Sequence, residues 1–328
     1  MRLKVNKPKR GLNAVILLIL IGVLPLLVGQ DYYQHLMILV LVWVVIGSSW
    51  NLLAGYTGQV SFGQAAFFGI GAYTAGVFHT KLSLSPWLGM AFGGWSAVVL
   101  GLLIGFICFR LRGPYFALAT LASAEILRLI ANNWVGFTDG MIGILIMQTF
   151  VSKLPYYYIA LCLAAVCIGT IYLVMNSKWG YYFVSIREDQ DAAESIGIDT
   201  TLYKNISLMI SSFFTGTAGA FYMNYMGFID PSIVFSLHNI SIQTILVGII
   251  GGVATLWGPA IGALVMVGIQ ELFRSAVFGL APRWVSQGHA LAFGILVVLT
   301  ILYMSNGIVG DWHKIRKIFT RRPSRKIS

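Results

Sequence analysis

Apolar runs of roughly 20 residues recur along this chain, and that is the length a helix needs to cross a hydrocarbon core of about 30 Å. They lie at 12–29, 34–54, 87–109, 114–131, 156–175, 205–225, 240–256, 258–273 and 290–304, with a tenth of different character at 55–76. A water-soluble chain must interrupt such runs to keep a solvated shell. Here 58% of residues are hydrophobic and only 10% charged, against about a quarter charged in soluble domains. The expectation is an all-α, polytopic transmembrane helical bundle of about ten spans.

The net charge of +11 raises the question of nucleic acid, and the positions of the charges answer it. Arg2, Lys4, Lys7, Lys9 and Arg10 precede the first run, and Lys314, Arg316, Lys317, Arg321, Arg322, Arg325 and Lys326 follow the last, so twelve of the 22 lysines and arginines flank spans. Flanking positive charge holds a segment on the cytoplasmic side. The reading is membrane lipid as surroundings, no nucleic-acid partner, a basic cytoplasmic N-terminus at 1–11, a transmembrane domain at 12–307 and a basic cytoplasmic tail at 308–328. Termini on one side require an even number of crossings. The run 12–29 has the basic flank of a signal peptide, but it is long and meets Gln30-Asp31 without a small-x-small site, which predicts a retained span. Cys108, Cys162 and Cys167 sit in apolar runs without metal-like spacing and are expected to be packing residues.

The segment 55–76, GYTGQVSFGQAAFFGIGAYTAG, is apolar yet crowded with Gly, Ser, Thr and Gln. In a membrane such a stretch is either a close-packing face or a broken helix beside a cavity. A second Gly-interrupted stretch spans 251–259, so spans two to five and seven to ten are compatible with two inverted halves, with a pathway at their interface. One of the runs at 240–256 and 258–273 is alternatively re-entrant. Gly58, Gln59, Ser61, Gly63, Gln64 and Gln243 are candidates for pathway or interhelical packing. So is Glu125, whose charge within an apolar run needs compensation. Arg128 stands one turn away, and Glu271 and Arg274 repeat the spacing.

The long polar interior segment, 176–204, holds five of the eleven acidic residues: Glu188, Asp189, Asp191, Glu194 and Asp199. On one continuous helix Glu188, Asp191 and Glu194 form an acidic stripe, with Ala192 and Ala193 as small contacts and Gly197 as a stop. Such a stripe reads as a solvated loop helix or as a docking helix for a soluble partner. Catalytic motifs are missing: there is no HExxH, no paired-carboxylate site and no GxxxxGK[ST] phosphate loop, so any ATP-driven step needs a separate subunit.

At these residues the chain resembles a known family. REDQDAAESIGI (187–198) resembles the cytoplasmic coupling loop of ABC importer permeases. The GYTGQ segment, GPYFALATLASAEILR (113–128) and GGVATLWGPAIGAL (251–264) resemble branched-chain amino acid permeases of the LivM type. The chain departs from that pattern at Gln64, with SFGQ where SLGH is usual. The resemblance implies a non-enzymatic permease subunit of a bacterial inner-membrane importer for branched-chain amino acids or a related amino-acid-like or amide solute. It also implies a homologous LivH-like permease, two cytoplasmic ATPase subunits and a periplasmic solute-binding protein as partners. No cofactor is expected on this chain, ATP and magnesium belonging to the partner ATPase. Arg187, Glu188, Asp189, Asp191, Ala192, Ala193, Glu194 and Gly197 become the expected ATPase-coupling residues. The rival reading is a secondary transporter or channel working without an ATPase.

Overall fold

The computed structural model describes residues 21–26, 29–111, 113–279, 294 and 307–310. The architecture is mostly helical. Helix α1 (Asp31–Trp50) runs without a break into a π-helical turn, Asn51–Tyr56; α2 is Gln64–Leu82, α3 Pro86–Cys108, α4 Pro114–Asn133, α5 the single turn Val135–Thr138, and α6 Leu154–Met175. Next come α7 (Lys178–Glu188), α8 (Gln190–Ser195), α9 (Thr200–Met226), α10 (Pro231–Val234), a second π turn at Leu237–Ile242, α11 (Gln243–Gly251), α12 (Gly258–Gly279) and α13 (Gly307–Gly310). Pro at the first turn of α3, α4, α6 and α10 starts each helix where its missing N–H costs nothing. One departure from all-α is a two-residue antiparallel ladder, β1 (Ile144–Leu145) with β2 (Phe228–Ile229), in which Ile144 faces Ile229.

Six described segments are long and apolar enough to cross a membrane: Asp31–Tyr56, Pro86–Cys108, Pro114–Asn133, Leu154–Met175, Thr200–Met226 and Pro231–Gly251. The expected count of about ten is larger. The run 290–304 and most of 12–29 lie outside the described residues, and Gly258–Glu271 is a shorter apolar helix. The segment 55–76 is not one span: its first residues end the π turn, 57–63 is non-helical, and a new helix starts at Gln64. The polar side chains that made the segment unusual hold this break together.

α2, α3 and α9 form the tight centre. A Cβ at Gly71 would strike the carbonyl of Gly216, and one at Gly219 the carbonyl of Phe68, so backbones touch there as small residues allow in membrane bundles. Phe67, Phe68 and Phe221 fill the space between. α1 packs on α6, α9 and α12. The outside is apolar as well, with Phe92, Trp95, Val99, Leu103 and Phe106 of α3 all exposed, the reverse of a water-soluble surface. Cys108 and Cys167 are buried packing residues as expected, but Cys162 is exposed on α6; all three are free thiols.

Contacts sort the connections into two ends. At one, Arg187 meets Gly55 and Gly58, Phe109 stacks on Phe116 at 5.0 Å, and Gly307 abuts Gly252. At the other, Lys153 donates to the Asp31 carbonyl, Lys81 to that of Gly136, Asn224 to that of Pro86, and Tyr32 bonds Glu271. Consecutive long helices therefore alternate in direction between an Arg187 end and a Lys153 end.

Candidate functional site

Two polar constructions stand at or near the Arg187 end. The first surrounds the break between the π turn and α2. The strand of chain from Thr57 to Gly63 has few backbone partners of its own, so neighbouring groups supply them, as buried polar backbone demands. Thr57 Oγ1 donates to the Leu52 carbonyl at 3.1 Å, Gln59 N to the Leu53 carbonyl at 3.0 Å, and Trp50 Nε1 to the Ser61 carbonyl at 2.9 Å. The first N–H groups near α2 are met by hydroxyls: Ser61 Oγ accepts from Gly63 N at 3.1 Å, Thr120 Oγ1 from Phe62 N at 3.1 Å, and Ser241 Oγ from Ala65 N at 3.0 Å. Gly63 caps α2 and lies against Thr120.

Gln64 is fully buried and reaches across to α9, accepting from Thr215 Oγ1 at 2.8 Å and donating to Ser211 Oγ at 3.3 Å. Ser211 and Thr215 are four apart, hence on one face of α9. This knot joins α1, α2, α4, α9 and the second π turn in the bundle interior. Of the sequence candidates, Ser61, Gly63 and Gln64 belong to it, and Gln59 lies in the break with its side chain 3.5 Å from the Thr57 carbonyl. Gln243 is half-buried at the start of α11; the residue of that segment that reaches α2 is Ser241, two positions earlier.

A clamp on the same end closes the break between α11 and α12. Asn51, buried in the π turn, donates to the Thr255 carbonyl and accepts from Ala254 N, both at 2.8 Å. Ala254 holds a left-handed φ of 58°, a conformation that costs a non-glycine residue and persists where surroundings enforce it.

The second construction is the 178–204 hairpin. Here the single acidic stripe expected from spacing is corrected. Asp189 is extended, with φ −157° and ψ 114°, and divides the segment into α7 and α8. Its carboxylate accepts from Asp191 N and Ala192 N at 2.9 and 3.0 Å. An aspartate cap competes with helix continuation. Glu188 therefore ends α7 and pairs with Arg187, 2.5 Å apart, while Glu194 on α8 accepts from Gln190 and from Thr200, at 2.9 and 2.5 Å. Asp191 and Ala192 are exposed and Ala193 is buried. Gly197, at φ 87°, closes α8: its N–H meets the Glu194 carbonyl and the next N–H meets that of Ala193, a Schellman stop.

Beneath the hairpin, Lys204 is 1% exposed and donates to Gln190 Oε1 at 2.5 Å, binding α8 to the first turns of α9. Arg187 connects the two constructions. It donates to the Gly55 carbonyl at 3.2 Å, and Gly58, at φ 75°, packs against the Arg187 backbone and side-chain stem so closely that a Cβ would lie 3.1 Å from its Cα and 2.9 Å from its Cγ. Glu125 belongs to neither construction. It pairs along α4 with Arg128, Nε to Oε2 at 2.9 Å and a guanidinium nitrogen to Oε1 at 2.5 Å.

Sequence reading missed Ser211, Thr215, Ser241, Asn51 and Lys204. The i, i+4 spacing of Ser211 and Thr215 within an apolar run was a usable signal for the first two. Lys204 at the head of a span reads as an interfacial cation, and nothing local marks it as buried.

The family model described as "Branched-chain amino acid transport system / permease component" matches residues 32–304. The chain is 26% identical to the high-affinity branched-chain amino acid transport system permease protein LivM of Escherichia coli, over 92% of this chain and 75% of the relative. The Salmonella typhimurium LivM is 24% identical over the same shares. The Escherichia coli permease protein LivH is 24% identical over 81% of this chain and 93% of its own length. No solved structure matches. With its apolar spans and a match across most of its length, the chain is a multi-pass membrane protein that belongs to the family of permease components of branched-chain amino acid transport systems.

Proposed function

We propose that this chain is one of two permease subunits of an ATP-binding-cassette importer in a bacterial inner membrane, carrying branched-chain amino acids. The observation that carries the reading is the family match over residues 32–304. Similarity to both LivM and LivH, which carry the same system's name, supports a homologous permease as the partner. Two cytoplasmic ATPase subunits, with their ATP and magnesium, and a periplasmic binding protein complete the assembly. The chain itself is not an enzyme and holds no cofactor.

In this reading there are ten spans in two inverted halves, with the Arg187 end and both termini in the cytoplasm. The basic residues Arg110, Lys178, Arg187 and Lys204 near that end support the orientation. Arg187 to Gly197 is the segment on which the ATPases push. Arg187 passes the push to the Gly55–Gly58 corner, and Lys204 passes it to α9. The knot at Gln64 ties the helices that receive these inputs together in the bundle interior, where helix displacement opens the pathway to alternate sides. Glu125, Gln59 and Gln243 belong to the pathway or its walls.

The test is leucine uptake into proteoliposomes containing this chain with and without its ATPase partners. ATP-dependent uptake that disappears without the ATPases is expected, and uptake by the chain alone under an ion gradient overturns the reading. Exposed Asp191 gives the local test: Asp191→Arg is expected to weaken co-purification of the ATPase while leaving the permease folded.

A further inference from the structure

α4 carries opposite charges at membrane depth on an open face. Glu125 stands eleven residues into this 20-residue helix, about 17 Å along its axis at 1.5 Å per residue, close to the middle of a hydrocarbon core of about 30 Å. Of the six candidate spans α4 is the least covered, with 22% of its most apolar stretch buried. The Glu125 and Arg128 side chains are 44% and 29% exposed. Ala122, one turn before Glu125, is exposed, as are Ile126 and Leu129 beside it.

Lipid is a poor neighbour for this arrangement. The bidentate pairing uses two of the five guanidinium N–H donors and one site on each carboxylate oxygen. Hydrocarbon would leave the remaining capacity unsatisfied. Ionisable residues at this depth face other helices or an aqueous cavity. The pair therefore calls for a polar neighbour rather than lipid, and a ligand that matches a carboxylate and a guanidinium set side by side is one that presents an ammonium and a carboxylate side by side.

We propose that Glu125 and Arg128 form a zwitterion-binding station on the translocation pathway, Arg128 taking the carboxylate of an amino acid and Glu125 its ammonium, with Ile126 and Leu129 as an apolar wall for the aliphatic side chain. This rests on the permease reading above. The small Ala122 leaves room beside the pair for the solute.

Wild-type ATP-dependent leucine uptake by the reconstituted complex is measured first, and its absence would count against the permease reading rather than this one. Ala122→Cys is then introduced with Cys108, Cys162 and Cys167 replaced by alanine, and the complex is treated with a charged thiol reagent with and without saturating leucine. The expected result is labelling that leucine slows at least fivefold, with the protection lost in the further Glu125→Gln, Arg128→Gln background. That double substitution leaves no unpaired charge, and in it leucine uptake is expected to fall at least tenfold with ATP hydrolysis retained. A cysteine that is never labelled, labelling that leucine does not slow, or protection that survives neutralisation of the pair each overturns the proposal. If the neutralised complex fails to assemble, protection in the parent complex decides.

Discussion

Gly58→Ala tests whether the contact between Arg187 and the Gly55–Gly58 corner transmits movement. Gly58 sits at φ 75°, where an L residue costs about 1–2 kcal/mol. The added methyl would lie 2.9 Å from Arg187 Cγ and 3.1 Å from its Cα, against 3.4 Å or more for ordinary contact, so α7 must retreat by about half an ångström in a close-packed interior. That displacement weakens the hydrogen bond from Arg187 to the Gly55 carbonyl, worth on the order of 1 kcal/mol after solvent screening of a partly exposed arginine. Gly113 is the control. It too has positive φ, 58°, with ψ −127°, and nothing lies within 4 Å of its Cβ position, so Gly113→Ala strains the backbone at least as much without moving a neighbour. Both variants are expected to lower the melting temperature of the detergent-solubilised complex, Gly113→Ala no less than Gly58→Ala, so a loss of stability alone cannot produce a transport defect confined to Gly58→Ala. Solute carried per ATP hydrolysed should drop severalfold only for Gly58→Ala. Equal transport ratios in the two variants would refute the claim that this corner couples the hairpin to the bundle.

Replacing Gln64 by Leu strands the hydroxyls of Ser211 and Thr215 in the core; a loss of about 1–3 kcal/mol is expected, read as reduced thermal stability by fluorescence-detected size exclusion. Gln64→His keeps one donor and one acceptor and should lose less. Lys204→Met removes the strut under α8, and amide exchange over residues 190–195 should accelerate at least tenfold while exchange in the middle of α9 is unchanged. Asn51→Leu deprives Ala254 N and the Thr255 carbonyl of their partner, costing about 1–3 kcal/mol for two part-buried backbone groups; a melting temperature equal to wild type would show that this clamp contributes nothing.

Composition and run length made the class of this fold legible because lipid imposes the same requirement on every span: about 20 apolar residues with internal hydrogen bonding. Glu125 and Arg128 were legible as a pair because helix geometry alone brings i and i+3 together. The break at 57–63 was only half legible. Its glycines and hydroxyls signalled an irregularity, but where the helix resumes depends on hydroxyls from Thr120 and Ser241, far away in the chain. The continuous stripe through Glu188, Asp191 and Glu194 was misread because spacing assumes the helix it is used to predict. Asp189 is both a permitted helix residue and a strong cap, and in the fold its carboxylate takes the N–H groups of Asp191 and Ala192, which is the cap. The burial of Lys204 is a tertiary fact, created by the fold-back of α8 onto α9.

The length of α9 gives the small β1–β2 ladder a consequence at the opposite face of the molecule. Twenty-seven residues make a rod of about 40 Å, anchored at its first turns to the hairpin by Lys204 and Thr200 and continued just past its last turn by β2, which is zipped to the loop holding Met141 and Met147. A rigid rod pivoting near its waist, where Gly216 and Gly219 touch α2, swings its two tips in opposite senses. A tilt of about 5° carries each tip by nearly 2 Å over a half-length of about 20 Å. The Lys153 end would thus register what happens at the Arg187 end through a single lever, with the two-residue ladder as its hook.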